Sequence, residues 1–134
     1  MNIVILDDSI TTRLIISSYL KDLDINEDEI HMFDNGYEAL DFIKRKGADM
    51  IFSDINMPYM DGYEFASLVF AVLPKLKSSF FGVSADKTRE SFNKMKQSGV
   101  HRFVKKPINI EHFKHFVDPE IKKLRKLDKN KEQI

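Results

Sequence analysis

The chain has 134 residues, 43% hydrophobic and 31% charged, the size and balance of one domain that can bury its own core. Lys+Arg and Asp+Glu stand at 21 each, so bulk charge leaves no footprint of a nucleic-acid partner. The absence of cysteine excludes disulfides, thiolate catalysis and cysteine-based zinc sites, and it fits a reducing compartment.

The N-terminal MNIVILDD turns acidic after one short apolar run and lacks a small-residue cleavage site, which argues against a signal peptide. Ile3–Leu6 is continuously apolar and too short for a helix, so it reads as a strand buried on both faces. Apolar residues at 10, 14, 15, 16, 19, 20 and 23 predict a helix over Ile10–Leu23, with Ser9 or Asp8 as its N-cap. Ile30–Phe33 is a second, weaker strand. Asp34 or Asn35 then caps a helix through Ala39, Leu40, Phe42 and Ile43, closed by Gly47. Met50–Ser53 is the third strand and Gly62–Val72 the third helix, ended by Pro74. Phe80–Val83, Lys87–Gln97 and Arg102–Val104 follow as strand, helix and strand, and a last helix begins near Asn109. No run approaches the roughly 18 apolar residues of a membrane span, so the expectation is one cytoplasmic domain without a membrane partner.

Five strands, each followed by a helix, predict an α/β fold with a parallel sheet covered on both faces. Right-handed crossovers leave few topologies, and the common five-strand solution has order 2-1-3-4-5, with a ligand crevice at the carboxyl ends of strands 1 and 3. The polar residues fall on that edge. Asp7 and Asp8 follow strand 1, Asp54 follows strand 3, Ser84 follows strand 4 and Lys106 follows strand 5. Taken singly, each has a bland reading as a cap or turn residue. Together they are harder to dismiss. Clustered carboxylates repel unless a cation or a proton relieves them, and oxygen-only donors suit Mg²⁺ before Ca²⁺. A carboxylate can also attack phosphorus to give an aspartyl phosphate. Phosphoryl transfer needs a nucleophile, a metal on an acid pair, a cation for the phosphoryl oxygens and a hydroxyl donor, and this edge supplies all four.

The segments ILDD at 5–8, FSDINMPYMDG at 52–62, FGVSA at 81–85 and FVKKP at 103–107, in this order and spacing, resemble the response-regulator receiver family over about residues 1–117. The resemblance implies the flavodoxin-like receiver fold and a role for each residue. Asp54 would be the phosphoacceptor. Asp7, Asp8, Asp54 and the backbone carbonyl of Asn56 would hold Mg²⁺. Lys106 would pair with a phosphoryl oxygen, and Ser84, in place of a more frequent Thr, would donate to the phosphoryl group. Phe103 would be the switch aromatic, without the hydroxyl of the more frequent Tyr. The Lys106–Pro107 peptide is cis in the family. Asn56 and Asp86 resemble the amide-plus-acid pair of chemotaxis-type receivers, a pointer to a fairly short-lived phosphoryl state.

His31, His101, His112 and His115 show no metal-ligand pattern beyond a loose pairing at 112 and 115, which reads as surface. Pro119 falls in the middle of the last helix, and Asp118-Pro119-Glu120 reads as a fresh helix start. The expectation is a helix broken near Pro119, dividing a receiver at 1–118 from a helical extension and basic tail at 119–134. With so short a tail, no DNA-binding domain is expected to follow the receiver. The chain is therefore expected to be a stand-alone response regulator, phosphorylated by a sensor histidine kinase and read by a downstream target protein. It would act on no outside substrate, as a monomer or a phosphorylation-dependent dimer. The rivals are a relay intermediate serving a histidine phosphotransfer protein, and an interaction module that works without phosphorylation.

Overall fold

The computed structural model describes residues 1–85 and 88–132, apart from the side chains of Met95 and of residues 130–132. Five strands, β1 (Ile3–Leu6), β2 (Ile30–Phe33), β3 (Met50–Asp54), β4 (Phe80–Ser84) and β5 (Arg102–Lys105), pair in parallel in the order β2-β1-β3-β4-β5. Between and after them run α1 (Ile10–Asp22), α2 (Gly36–Lys46), α3 (Gly62–Val72), α4 (Arg89–Ser98) and α5 (Ile110–Glu132). The α/β class and the strand order are those expected from the sequence.

Successive strand residues point to opposite faces, and both faces are apolar here, which is why β1 reads as an unbroken hydrophobic run and β3 and β4 open on consecutive apolar residues. Val4, Leu6, Ile51 and Phe80 meet Ala39, Ile43, Phe65 and Val69 of α2 and α3 on one side. Ile3, Ile5, Phe52 and Phe81 meet Ile16, Leu20, Phe113 and Val117 of α1 and α5 on the other. Phe52 sits at the centre of that second layer, with ring centroids 5.2 Å from Phe81 and 5.4 Å from Phe113.

Side-chain caps set the helix starts. Ser9 accepts from the N–H of Thr12, Asn35 from Glu38, Asp61 from Glu64 and Asn109 from both Glu111 and His112. In α4 the Thr88 hydroxyl accepts from the Ser91 N–H, so this helix begins at Arg89 rather than at the expected Lys87, which lies outside the described residues. Gly47, at φ 77°, closes α2. Strands β3, β4 and β5 each run one residue further than expected, because Asp54 pairs with Val83 and Ser84 with Lys105 in the ladder.

The expected break at Pro119 is not there. α5 runs through it to Glu132. Proline removes one helical hydrogen bond, to the carbonyl of His115, but both residues lie on the exposed side, where water can serve the freed oxygen. On the inner side Phe113, Val117 and Ile121 are each no more than 1% exposed and form one continuous stripe across the proline. Glu120 is pinned beside it: Ser79 Oγ donates to Oε1 at 2.7 Å and Arg102 Nη1 meets Oε2 at 3.1 Å. Burial on both sides of Pro119 outweighs the local penalty. None of the helices, among the described residues, is long and apolar enough to cross a membrane.

Candidate functional site

Neighbouring strand ends build the site. Leu6 lies opposite Ser53 across the β1–β3 ladder, so the next residues, Asp7 and Asp54, emerge side by side. This is the point where the strand order reverses, the usual crevice of a doubly wound sheet. One carboxylate oxygen from each of Asp7, Asp8 and Asp54 lies within 4.8 Å of the other two. Asp8 is exposed, whereas Asp7 and Asp54 are only 1% and 4% accessible.

Asp7 is held from several sides. Its Oδ1 accepts the Ser9 N–H at 2.8 Å, and Arg13 donates to its backbone carbonyl at 2.7 Å. Its enclosed Oδ2 lacks a properly directed hydrogen bond and faces the Lys106 ammonium at 2.9 Å as an ion pair. The same ammonium is 3.4 Å from Asp54 Oδ1, which also accepts the Asn56 N–H at 3.2 Å. Burial, then the charge of Asp7, push the Asp54 carboxyl from 3.8 up to about 6, with a smaller push from Asp8. Lys106 and the Asn56 N–H pull the other way and do not win. Burial alone would lower the pKa of Lys106, but contact with Asp7 and the charges of Asp54 and Asp7 raise it overall.

Three carboxylates thus face one ammonium. This excess of negative charge, all of it on oxygen, suits a small hard cation, and the enclosed Asp7 Oδ2 is the kind of atom such an ion would satisfy. Among the described residues no other group of three acids or histidines is so placed, and His112 and His115 are simply exposed on α5.

The remaining expected residues lie around this trio. Ser84 is the buried last residue of β4, and its carbonyl accepts the Lys106 N–H at 2.9 Å. The Lys106–Pro107 peptide is cis. Phe103 is half-buried on β5 and meets Phe92 of α4 edge to face, at 5.2 Å between centroids. Asn56 is exposed at the rim. Asp86 lies outside the described residues. The sequence did not single out Arg13 or the fit of Gly62. The Gly62 N–H donates to Ile55 O at 2.8 Å, and a Cβ there would lie 2.5 Å from the carbonyl oxygen of Asp54. Only glycine lets the loop fold back onto the Asp54 peptide, and the Asp61-Gly62 pair was its one sequence signal.

A doubly wound sheet with an acid trio at its switch point and a lysine across the crevice defines a class of signalling domain. The chain belongs to the response regulator receiver domain family, whose model matches residues 3–118. It is 30% identical over 118 residues to the chemotaxis protein CheY-3 of Vibrio cholerae, covering 88% of this chain and 89% of that protein. It is 34% identical over 122 residues to the sensor histidine kinase CheAY of Helicobacter pylori, 90% of this chain but 15% of the kinase. In fold it is similar to the receiver domain of the sensor histidine kinase PA1611 of Pseudomonas aeruginosa, solved with a magnesium ion coordinated in its active-site cleft. The TM-score is 0.77 at 18% identity, over 90% of this chain and 96% of that one. The chain is thus a CheY-like receiver of two-component signalling.

Proposed function

We propose that this chain is a cytoplasmic response regulator, phosphorylated on Asp54 by a sensor histidine kinase and signalling through phosphorylation-dependent protein binding. The observation that carries this reading is the Lys106 ammonium between Asp7 and Asp54, 2.9 and 3.4 Å away. It offsets one of the three carboxylate charges of the crevice and leaves two in excess. Asp7, Asp8, Asp54 and the backbone carbonyl of Asn56 would hold Mg²⁺, as the acid trio and the enclosed Asp7 Oδ2 favour. The ion would supply charge neutralisation for the phosphoryl oxygens.

Asp54 supplies the nucleophilic oxygen. As its bond to phosphorus forms, the bond from phosphorus to the donor's leaving atom breaks, and that electron pair departs with the donor. Lys106 then pairs with a phosphoryl oxygen and Ser84 donates to another, drawing the β4–α4 loop inward and carrying Phe103 with it. The chain acts only on its own aspartate, by accepting and losing the phosphoryl group. Residues 1–118 form the receiver, and the extension that begins at residue 119 continues along α5 to Glu132.

Intact-mass spectrometry after incubation with Mg²⁺ and acetyl phosphate tests the reading. A single phosphoryl adduct is expected that needs Mg²⁺ and is lost in Asp54→Ala. A folded, Mg²⁺-binding protein that forms no adduct with a cognate kinase either would overturn it. The similarity to a stretch of a sensor histidine kinase supports a second reading, a relay intermediate. Transfer of the phosphoryl group onward to a histidine phosphotransfer protein would select it.

A further inference from the structure

The start of α4 is tied to the phosphoacceptor loop by contacts that the chemistry above does not use. Gly62 locks the start of α3 against the Asp54 peptide, as its 2.8 Å bond to Ile55 and the absence of space for a Cβ show. The next residue, Tyr63, reaches across to α4, where its hydroxyl lies 2.6 Å from Ser91 Oγ. Ser91 is only 6% exposed. The N–H of Ser91 is bound by the capping Thr88, and the following residue, Phe92, carries the ring that meets Phe103. Asn56, Tyr63, Thr88 and Ser91 line one cleft of about 580 Å³, so the loop after Asp54 and the first turn of α4 face each other.

These contacts form an unbroken line from the Asp54 peptide through Gly62, Tyr63, Ser91 and Phe92 to Phe103. At 2.6 Å the hydroxyl pair has no slack. If α4 moved relative to α3, it would leave a buried serine hydroxyl without its partner, so the two helices respond together. Phe103 has no hydroxyl of its own, and its ring is held by packing, against Phe92 and against the core on that face of the sheet.

We propose that the Tyr63 hydroxyl is a positioning group that couples the phosphoacceptor loop to the first turn of α4. It gives the phosphoryl signal a second route to Phe103 beside the one through Ser84. This rests on the phosphorylation of Asp54 proposed above.

The test phosphorylates the wild type, Tyr63→Phe, Ser91→Ala and Ser91→Thr with acetyl phosphate and Mg²⁺. Mass spectrometry fixes the occupancy, and the amide chemical-shift change of residues 102–105 is read at equal occupancy. Ser91→Thr, which keeps a hydroxyl, is expected to respond like the wild type. Tyr63→Phe and Ser91→Ala are expected to phosphorylate normally yet lose roughly half of the shift change, each to the same extent. A wild-type response from Tyr63→Phe or from Ser91→Ala would overturn the second route and leave the phosphorylation reading standing. A folded wild type that forms no adduct with acetyl phosphate or with a cognate kinase would overturn both.

Discussion

Asp54 is the residue at which folding opposes the proposed function. Its carboxyl is buried beside Asp7 and titrates near 6 instead of 3.8, so the folded state holds the proton more tightly than the unfolded chain does. An acid with a raised folded-state pKa contributes stability that is full below its unfolded pKa and lost as pH rises through the folded one. At neutral pH the carboxylate therefore strains the fold, in the ionised form that the proposed phosphorylation would use. Asp54→Asn removes the charge and keeps the shape. In EDTA, urea denaturation should show the variant more stable than wild type by about 2 kcal/mol at pH 8, with the gap closing toward pH 4. A pH-independent difference would mean that packing, not ionisation, sets the effect. The Lys106 ion pairs limit this strain without abolishing it, since the site holds three acids against one base.

At the scale of elements, α5 shows where local propensity loses to packing. Pro119 reads as a helix start, and no signal before it reveals that Ser79 and Arg102, 41 and 18 residues away from Glu120, would clasp the next turn. The strand ends misled for a related reason. Asp54 and Ser84 are polar and look like loop residues, yet both complete the parallel ladder. Pro119→Ala restores a backbone donor to the His115 carbonyl on the exposed face. It should raise stability by about 2 kcal/mol, seen as a higher urea midpoint at unchanged slope. A loss of stability instead would show that the proline shapes α5 so that Glu120 can reach its partners.

Across the whole molecule, what could be read in advance was whatever rests on periodicity and order: five buried strands, the helices between them and five polar residues on one sheet edge. What could not be read depends on distances between elements remote in sequence. The 2.6 Å Tyr63–Ser91 contact spans 28 residues without a motif, and the raised pKa of Asp54 exists only once Asp7 is packed beside it. Arg13 looked like an ordinary helix residue until its guanidinium met the Asp7 carbonyl. The acid trio exists only in the folded chain, so an ion that binds it stabilises the whole domain, by about 2.7 kcal/mol when the free ion is at a hundred times its dissociation constant. That ion competes with the proton on Asp54. Below pH 6 its apparent affinity should fall with acidity, and above pH 6 it should be flat. Calorimetry in Mg²⁺ and in EDTA should therefore show a metal-dependent rise in Tm at pH 8 that is nearly gone at pH 4.5. In Asp54→Asn the rise should be smaller and should persist to lower pH, because Asp7 and Asp8 remain while the strained proton site is gone. Equal Tm increments at both pH values in the wild type would place the bound ion away from Asp54, and with it the assignment of the crevice as a magnesium site would fail.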